Sequence, residues 1–257
     1  RCKTCLKSFS QATYDPAYYQ KTRQLNYKCK YLLGSNVSMR RAAMILGIHR
    51  DTVTQKLIFL AEQCREQLIK SEYEYVHVDA IQFDELQTIE HTKCKPLSVA
   101  MAVSVSERKI LGFQVSKMPA TGHLAKIARK KYGFRPDQRK RGLGTLFKTL
   151  AKKLPPTIDI RSDECTYYKP AVKRYFPRAT YRQFKGKKGC VHGQGELKKT
   201  ARDPLFGINH TFAMLRANIN RLIRKTWCTT KKISRLIDHL TLYMWLHNSK
   251  LTPRLCL

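Results

Sequence analysis

Acidic side chains are scarce in this sequence: 18 Asp and Glu stand against 50 Lys and Arg, a formal net charge of +32. That imbalance far exceeds what solubility needs and strains a compact chain by self-repulsion, so it calls for a polyanionic partner. Nucleic acid fits. No apolar run approaches the roughly 18 residues of a membrane-spanning helix, and no leader pattern is visible, so no membrane partner is expected. A paired-cysteine framework is missing too: nine cysteines are scattered, and only Cys2 and Cys5 have metal-ligand spacing. An odd, dispersed set in so basic a chain favours a reducing compartment.

Where carboxylates are this rare, those inside apolar runs stand out. Ala80-Ile81-Gln82-Phe83-Asp84-Glu85-Leu86-Gln87-Thr88 is a β-type run carrying two of them. Apolar and β-branched residues extend from Tyr75 through Phe83. Two further runs, Leu97 to Val105 and Ile110 to Val115, follow after short polar connections, which predicts three consecutive antiparallel strands. Alternation puts Ala80, Gln82 and Asp84 on one face and Asp79, Ile81, Phe83 and Glu85 on the other. Asp84 is then either a solvated strand end or half of a site. Thr157-Ile158-Asp159-Ile160-Arg161-Ser162-Asp163-Glu164 repeats the theme of a short strand ending in acids. Two such acids in a β-β-β-α-β-α order point to a metal site at the edge of a mixed sheet, because hard divalent cations prefer carboxylate oxygens and phosphoryl transfer uses them.

Ahead of the strands, Arg1 to Ser10 looks like the second half of a zinc ribbon. Cys2 and Cys5 would supply two thiolates to Zn²⁺, and the first half is expected upstream; the bland alternative is two free thiols. Tyr14 to Leu33 reads as a basic helical stretch. Val37 to Leu57 then has an apolar helix, Gly47 at a turn, and a second helix with a polar cap. Small Ala42 and Ala43 permit close packing, and Ile48, Val53 and Leu57 form the buried side. Arg50, Thr52, Gln55 and Lys56 are left to face a DNA major groove. This reads as a helix-turn-helix, with an ordinary helical hairpin as the alternative. The chain accordingly divides into a partial zinc ribbon over 1–13, a helical DNA-binding region over 14–72 and an α/β domain over 73–257.

Farther along, a helix is expected from Ala120 to Lys131, and the basic, Gly- and Pro-containing segment from Gly133 to Gly144 reads as a loop, either against phosphate or merely solvated. Thr145 to Lys153 is helical again until Pro155-Pro156, and Tyr167, Tyr168 and Tyr175 lie in another helical stretch. The glycine-rich run from Arg178 to Lys199 predicts a flexible excursion. Ile208, Phe212, Leu215, Ile219 and Leu222 then mark a buried helical face. Asn209 and Arg216 lie beside that face, Arg221, Arg224 and Lys225 form a basic cluster expected with Arg216 to bind DNA, and a last helix is expected from Lys232 to Leu246.

Taken together, these residues resemble the DDE transposases of small bacterial insertion sequences, over most of the chain. The resemblance rests on the half ribbon with Phe9-Ser10, the helix-turn-helix, Phe83-Asp84-Glu85-Leu86, Ser162-Asp163-Glu164 with Tyr167, and most specifically Leu215-Arg216 followed by Arg221-Leu222-Ile223-Arg224-Lys225-Thr226. It implies a catalytic domain of the RNase H-like, retroviral integrase superfamily, in which Asp84 and Asp163 bind Mg²⁺ or Mn²⁺. The family's third acid falls on Asn209, whose amide oxygen ligates without formal charge; Glu196, at a spacing from Asp163 that other DDE enzymes use, is the alternative, although in a glycine-rich loop. Glu85 and Glu164 would support the site, His210 and Arg216 would meet substrate phosphate, and Asp79 and Asp159 match no motif position and read as structural or solvated. The implied activity cleaves element ends with water and passes the freed 3′-OH to target DNA without a covalent protein–DNA intermediate. Double-stranded DNA, a homodimer or larger assembly, and the bacterial cytoplasm at the nucleoid go with it. Asn209 leaves open a transposase-derived DNA-binding protein, a repressor or targeting module.

Overall fold

The computed structural model describes residues 1–71, 77–185, 203–223 and 227–251. Five strands form one mixed sheet: β1 (Ala80–Glu90), β2 (Thr92–Ser104), β3 (Ile110–Lys117), β4 (Asp159–Asp163) and β5 (Thr180–Phe184), in the order β3-β2-β1-β4-β5. The first three make an antiparallel meander, while β4 runs parallel to β1 and β5 parallel to β4. Helices α1 (Asn26–Leu33), α2 (Met39–Leu46) and α3 (Arg50–Lys70) precede the sheet; α4 (Leu124–Tyr132) and α5 (Arg139–Leu150) follow β3. Helix α6 (Tyr168–Tyr175) links β4 to β5, and α7 (Phe206–Asn218) and α8 (Ile233–Leu251) come last.

The period-2 alternation sorts the sheet into two cores. Ile81, Phe83, Ala100, Ala102 and Ile160 bury against Leu143, Phe147 and Leu150 of α5 and Val172 of α6. Leu86, Val99, Met101 and Val103 bury against Ile208, Phe212 and Leu215 of α7 and Leu236, Leu240 and Met244 of α8. Phe83 is central to the first core, its ring centre 4.9 Å from that of Phe147 and 4.7 Å from that of Tyr168. A third core joins α1, α2 and α3 through Cys29, Leu33, Ala42, Val53 and Leu57, and Leu242 and Leu246 of α8 complete it. Helix α8 therefore serves both sides of the division at 72/73.

The small-residue pair packs as expected, with Ala42 fully buried, and the turn between α2 and α3 is made by Gly47 at φ 63°, where a side chain would be strained. Ser38 caps α2 by accepting the Arg41 N–H, and His49 caps α3 by accepting the Asp51 N–H. Helix α3 runs on to Lys70, because its far half packs along α8.

Three elements differ from the sequence reading. β1 continues past Asp84 to Glu90, since β2 pairs with it all along; the acids sit in mid-strand. Residues Arg139 to Gly144 open α5 instead of forming a loop. Leu143, Leu146, Phe147 and Leu150 give that segment a buried helical stripe. Its glycines allow close approach, for a Cβ on Gly142 would overlap the Ser116 hydroxyl and one on Gly144 would press on Tyr175. Thr180 to Phe184, expected within a flexible excursion, is edge strand β5, held by five pairs to β4 and by the Ser162–Tyr181 hydroxyl bond at 2.7 Å. Residues 186–202, which include the expected glycines, lie outside the described residues.

Candidate active site

The site is set by register. β1 and β4 pair at Ala80–Asp159, Ile81–Ile160 and Gln82–Arg161. Two residues beyond the last pair come Asp84 on one strand and Asp163 on the other, so two carboxylates stand side by side where neighbouring strands, roughly 4.8 Å apart when paired, begin to part. A crevice beyond the parallel strand ends, where chain connections leave in opposite directions, is the usual ligand position in an open α/β sheet.

The two acids repel. Burial first, and then the Asp163 charge, pushes the Asp84 carboxyl up to about 6. Burial and the Glu85 charge raise Asp163 in turn. Asp84 Oδ1 accepts the Glu85 N–H at 2.6 Å and the Tyr168 hydroxyl at 3.3 Å. Glu85 is fixed by two donors, the Tyr167 hydroxyl to Oε1 at 2.6 Å and the Ser98 hydroxyl to Oε2 at 2.7 Å. Burial pushes both phenols upward, which keeps them protonated as donors. Oδ1 of Asp163 is buried and receives no hydrogen bond, and among the described residues neither aspartate has an ion-pair partner. Hard oxygen donors, excess negative charge and a vacant buried lone pair fit a divalent cation at Asp84 and Asp163. Among the described residues no three His, Cys, Asp or Glu side chains group as a metal cage.

Gln82 ties helix α7 to the same face. Its Oε1 accepts the Ile208 N–H at 2.9 Å and its Nε2 donates to the Pro204 carbonyl at 2.8 Å, so the first turn of α7 is held one side-chain repeat from Asp84. Asn209 sits in that turn, exposed, its amide donating to Asp203 Oδ2 at 2.9 Å. His210, next to it, is half-buried against Phe206. Glu164 and Asp79 are exposed, and Asp159 is ion-paired with Arg161 and Arg182. Glu196, Arg224 and Lys225 lie outside the described residues.

Glu85, the neighbour of Asp84, lines a groove of about 560 Å³ whose walls also carry Lys93, Arg216 and Arg221; Asp84 and Asp163 themselves are not in its lining. Burial lowers the Arg221 guanidinium to about 10, still a cation at neutral pH. Sequence reasoning placed Arg216 and Arg221 near substrate but missed Lys93, whose position depends on the β1–β2 register. It also missed the Gln82 clamp and the Tyr168 bond to Asp84. An amide between Ile81 and Phe83 was the available signal, since a buried Gln has to find partners.

In the helical region Arg50 and Gln55 are exposed and Thr52 is half-buried. Lys56 corrects the expectation of a groove contact. It is buried, and its ammonium donates to the Thr22 carbonyl at 2.8 Å, Asn26 Oδ1 at 2.7 Å and Gln20 Oε1 at 3.5 Å. A cation held by three internal acceptors is anchoring the α1 approach to α3. At the N-terminus the Cys5 N–H donates to Cys2 Sγ at 3.5 Å, and backbone N–H groups of Cys5 and Thr4 lower the Cys2 thiol. Cys29 lies in the helical core, where burial pushes its thiol up to about 11. No helix among the described residues is long and apolar enough to cross a membrane.

No known protein-family model matches this chain. No curated protein matches it either.

Proposed function

We propose that the protein is a DNA transposase of the DDE type, which cuts the ends of an insertion sequence and joins the 3′-OH to target DNA. The observation that carries this reading is the acid pair: Asp84 and Asp163, register-matched on adjacent parallel strands and uncompensated, in a chain of net charge +32. The strand order β3-β2-β1-β4-β5, with helices on both faces, is compatible with the RNase H-like fold that the resemblance implies. The α2–Gly47–α3 pair, presenting Arg50, Thr52 and Gln55, is read as the helix-turn-helix that selects the element end.

Asp84 and Asp163 would hold Mg²⁺ or Mn²⁺, with Asn209, Glu196 or the DNA itself as a further ligand. A divalent cation held there would supply activation of a water or 3′-OH and offset charge on the phosphoryl oxygens. The chain's own residues do the positioning. Tyr168 and the Glu85 amide orient Asp84, Tyr167 and Ser98 hold Glu85 back from rotation, and Gln82 seats α7. Arg216 and Arg221 bring positive charge to the groove where DNA phosphate would lie. The outward, engaged amide of Asn209 favours a second reading, a transposase-derived DNA-binding protein without cleavage.

The deciding experiment supplies DNA carrying the ends that flank the protein's own gene, with Mg²⁺ or Mn²⁺, to the wild type and to Asp84→Ala, Asp163→Ala and Asn209→Ala. Nicking or joining that needs metal and vanishes in both aspartate variants supports the transposase. Binding by all four proteins without cleavage supports the DNA-binding derivative.

A further inference from the structure

A second groove, of about 570 Å³, adjoins the first at Ala120, which lines both. Lys95, Lys117 and Arg129 stand along it. Its acids are already neutralised: Asp137 is engaged by the Arg139 guanidinium at 2.7 Å, and Glu90, nearby, by Arg135 at 3.1 Å. Phe134, 79% exposed, also lines it. This phenyl is not on a slack loop. Arg135 donates to the Met118 and Pro96 carbonyls at 3.1 and 3.3 Å, and the Gln138 N–H donates to the Lys117 carbonyl at 2.9 Å. Tyr132, also exposed, lies beside it in the wall with Lys95 Nζ 4.5 Å from its ring centre. With the backbone on its C-terminal side braced, an outward aromatic ring in a positive trough costs little backbone ordering on meeting a planar ligand.

We infer that the two grooves form one trough for a single strand of DNA, its phosphates on Lys93, Lys95, Lys117 and Arg129 and an unpaired base stacked on Phe134. The inference rests on the proposed function for the identity of the nucleic acid and for the strand's origin at the carboxylates. Stacking needs an accessible base face, which a duplex offers only at its ends, so the trough prefers unpaired DNA.

The test measures fluorescence anisotropy of a labelled oligothymidylate and of a duplex of equal length on the full chain at fixed salt, for wild type, Phe134→Ala and Phe134→Trp. Phe134→Ala is expected to weaken single-strand binding roughly tenfold, with duplex binding unchanged and the tryptophan variant restored. Lys117→Ala with Arg129→Ala should also reduce the slope of log affinity against log salt by about one to two. Equal loss on both DNAs, no loss on the single strand, or no single-strand binding by the wild type overturns the inference. Phe134-dependent binding in a protein that never cleaves would keep the trough and remove the transposase; cleavage without Phe134-dependent binding would do the reverse.

Discussion

The two ends of β4 carry the same side chain in opposite electrostatic settings. Asp159 opens the strand with Arg161 Nη2 at 2.8 Å and Arg182 Nε at 3.6 Å. Asp163 closes it beside Asp84; Asp159 and Asp163 each keep one buried oxygen without a hydrogen bond, but among the described residues only Asp159 has cations beside it. In a chain with nearly three basic residues per acid, a compensated carboxylate is the ordinary outcome, as Asp159, Glu90 and Asp137 illustrate. An uncompensated pair has been kept clear of abundant cations. The first kind of acid contributes to folding, while the second costs stability, which is the setting expected of a functional carboxylate.

That contrast breaks most sharply in activity. Asp84→Ala or Asp163→Ala should lower metal-dependent DNA cleavage on the order of 10³-fold, a loss of several kcal/mol at the barrier, while Asp159→Ala changes it by less than about threefold. Cleavage rates under single-turnover conditions compare the three. Stability should move the other way. Asp84 has a folded-state pKa above its unfolded one, so its contribution is complete below pH 3.8 and is lost as pH rises through about 6. Asp84→Asn removes that loss and should stabilise the protein by about 3 kcal/mol near pH ~7.5 and by nothing near pH ~3.5, read by urea unfolding. Lys56 is the cationic counterpart of Asp159, buried and fully engaged. Lys56→Ala should cost about 2 kcal/mol of unfolding free energy and leave the preference among DNA sequences unchanged, because it strands internal acceptors and touches no base. The smallest effect is at Asp159→Asn, about 1 kcal/mol in the same unfolding assay, since Arg182 is largely exposed.

How much of this could be read from the sequence differs by element. Alternation over Ile81 to Glu85 set both faces of β1 correctly, and spacing identified the buried hydrophobic residues from Ile208 to Leu222 while passing over buried Thr211, because periodicity is a local property read from apolar side chains. Gly47 and its flanking caps marked the α2–α3 turn for the same reason. The glycines of α5 misled, since their role is contact with Ser116 and Tyr175, residues distant in sequence. β5 was hidden by its length and charge, which suit an exposed edge. Lys56 looked like a groove contact because helical position alone does not reveal Thr22 and Asn26 folding back over it. Asp84 and Asp163 were each visible as odd acids in apolar runs, but their pairing depends on the β1–β4 register, which no local pattern encodes.

Asp84 and Asp163 are proposed to be a carboxylate pair that takes a divalent cation. Thermal unfolding near pH ~7.5 over a titration of MnCl₂ or MgCl₂, for wild type and Asp84→Asn, tests it without requiring the DNA substrate. Wild-type Tm is expected to rise saturably, with the variant starting higher and failing to respond. A wild type indifferent to both metals, or a variant that responds equally, would contradict it.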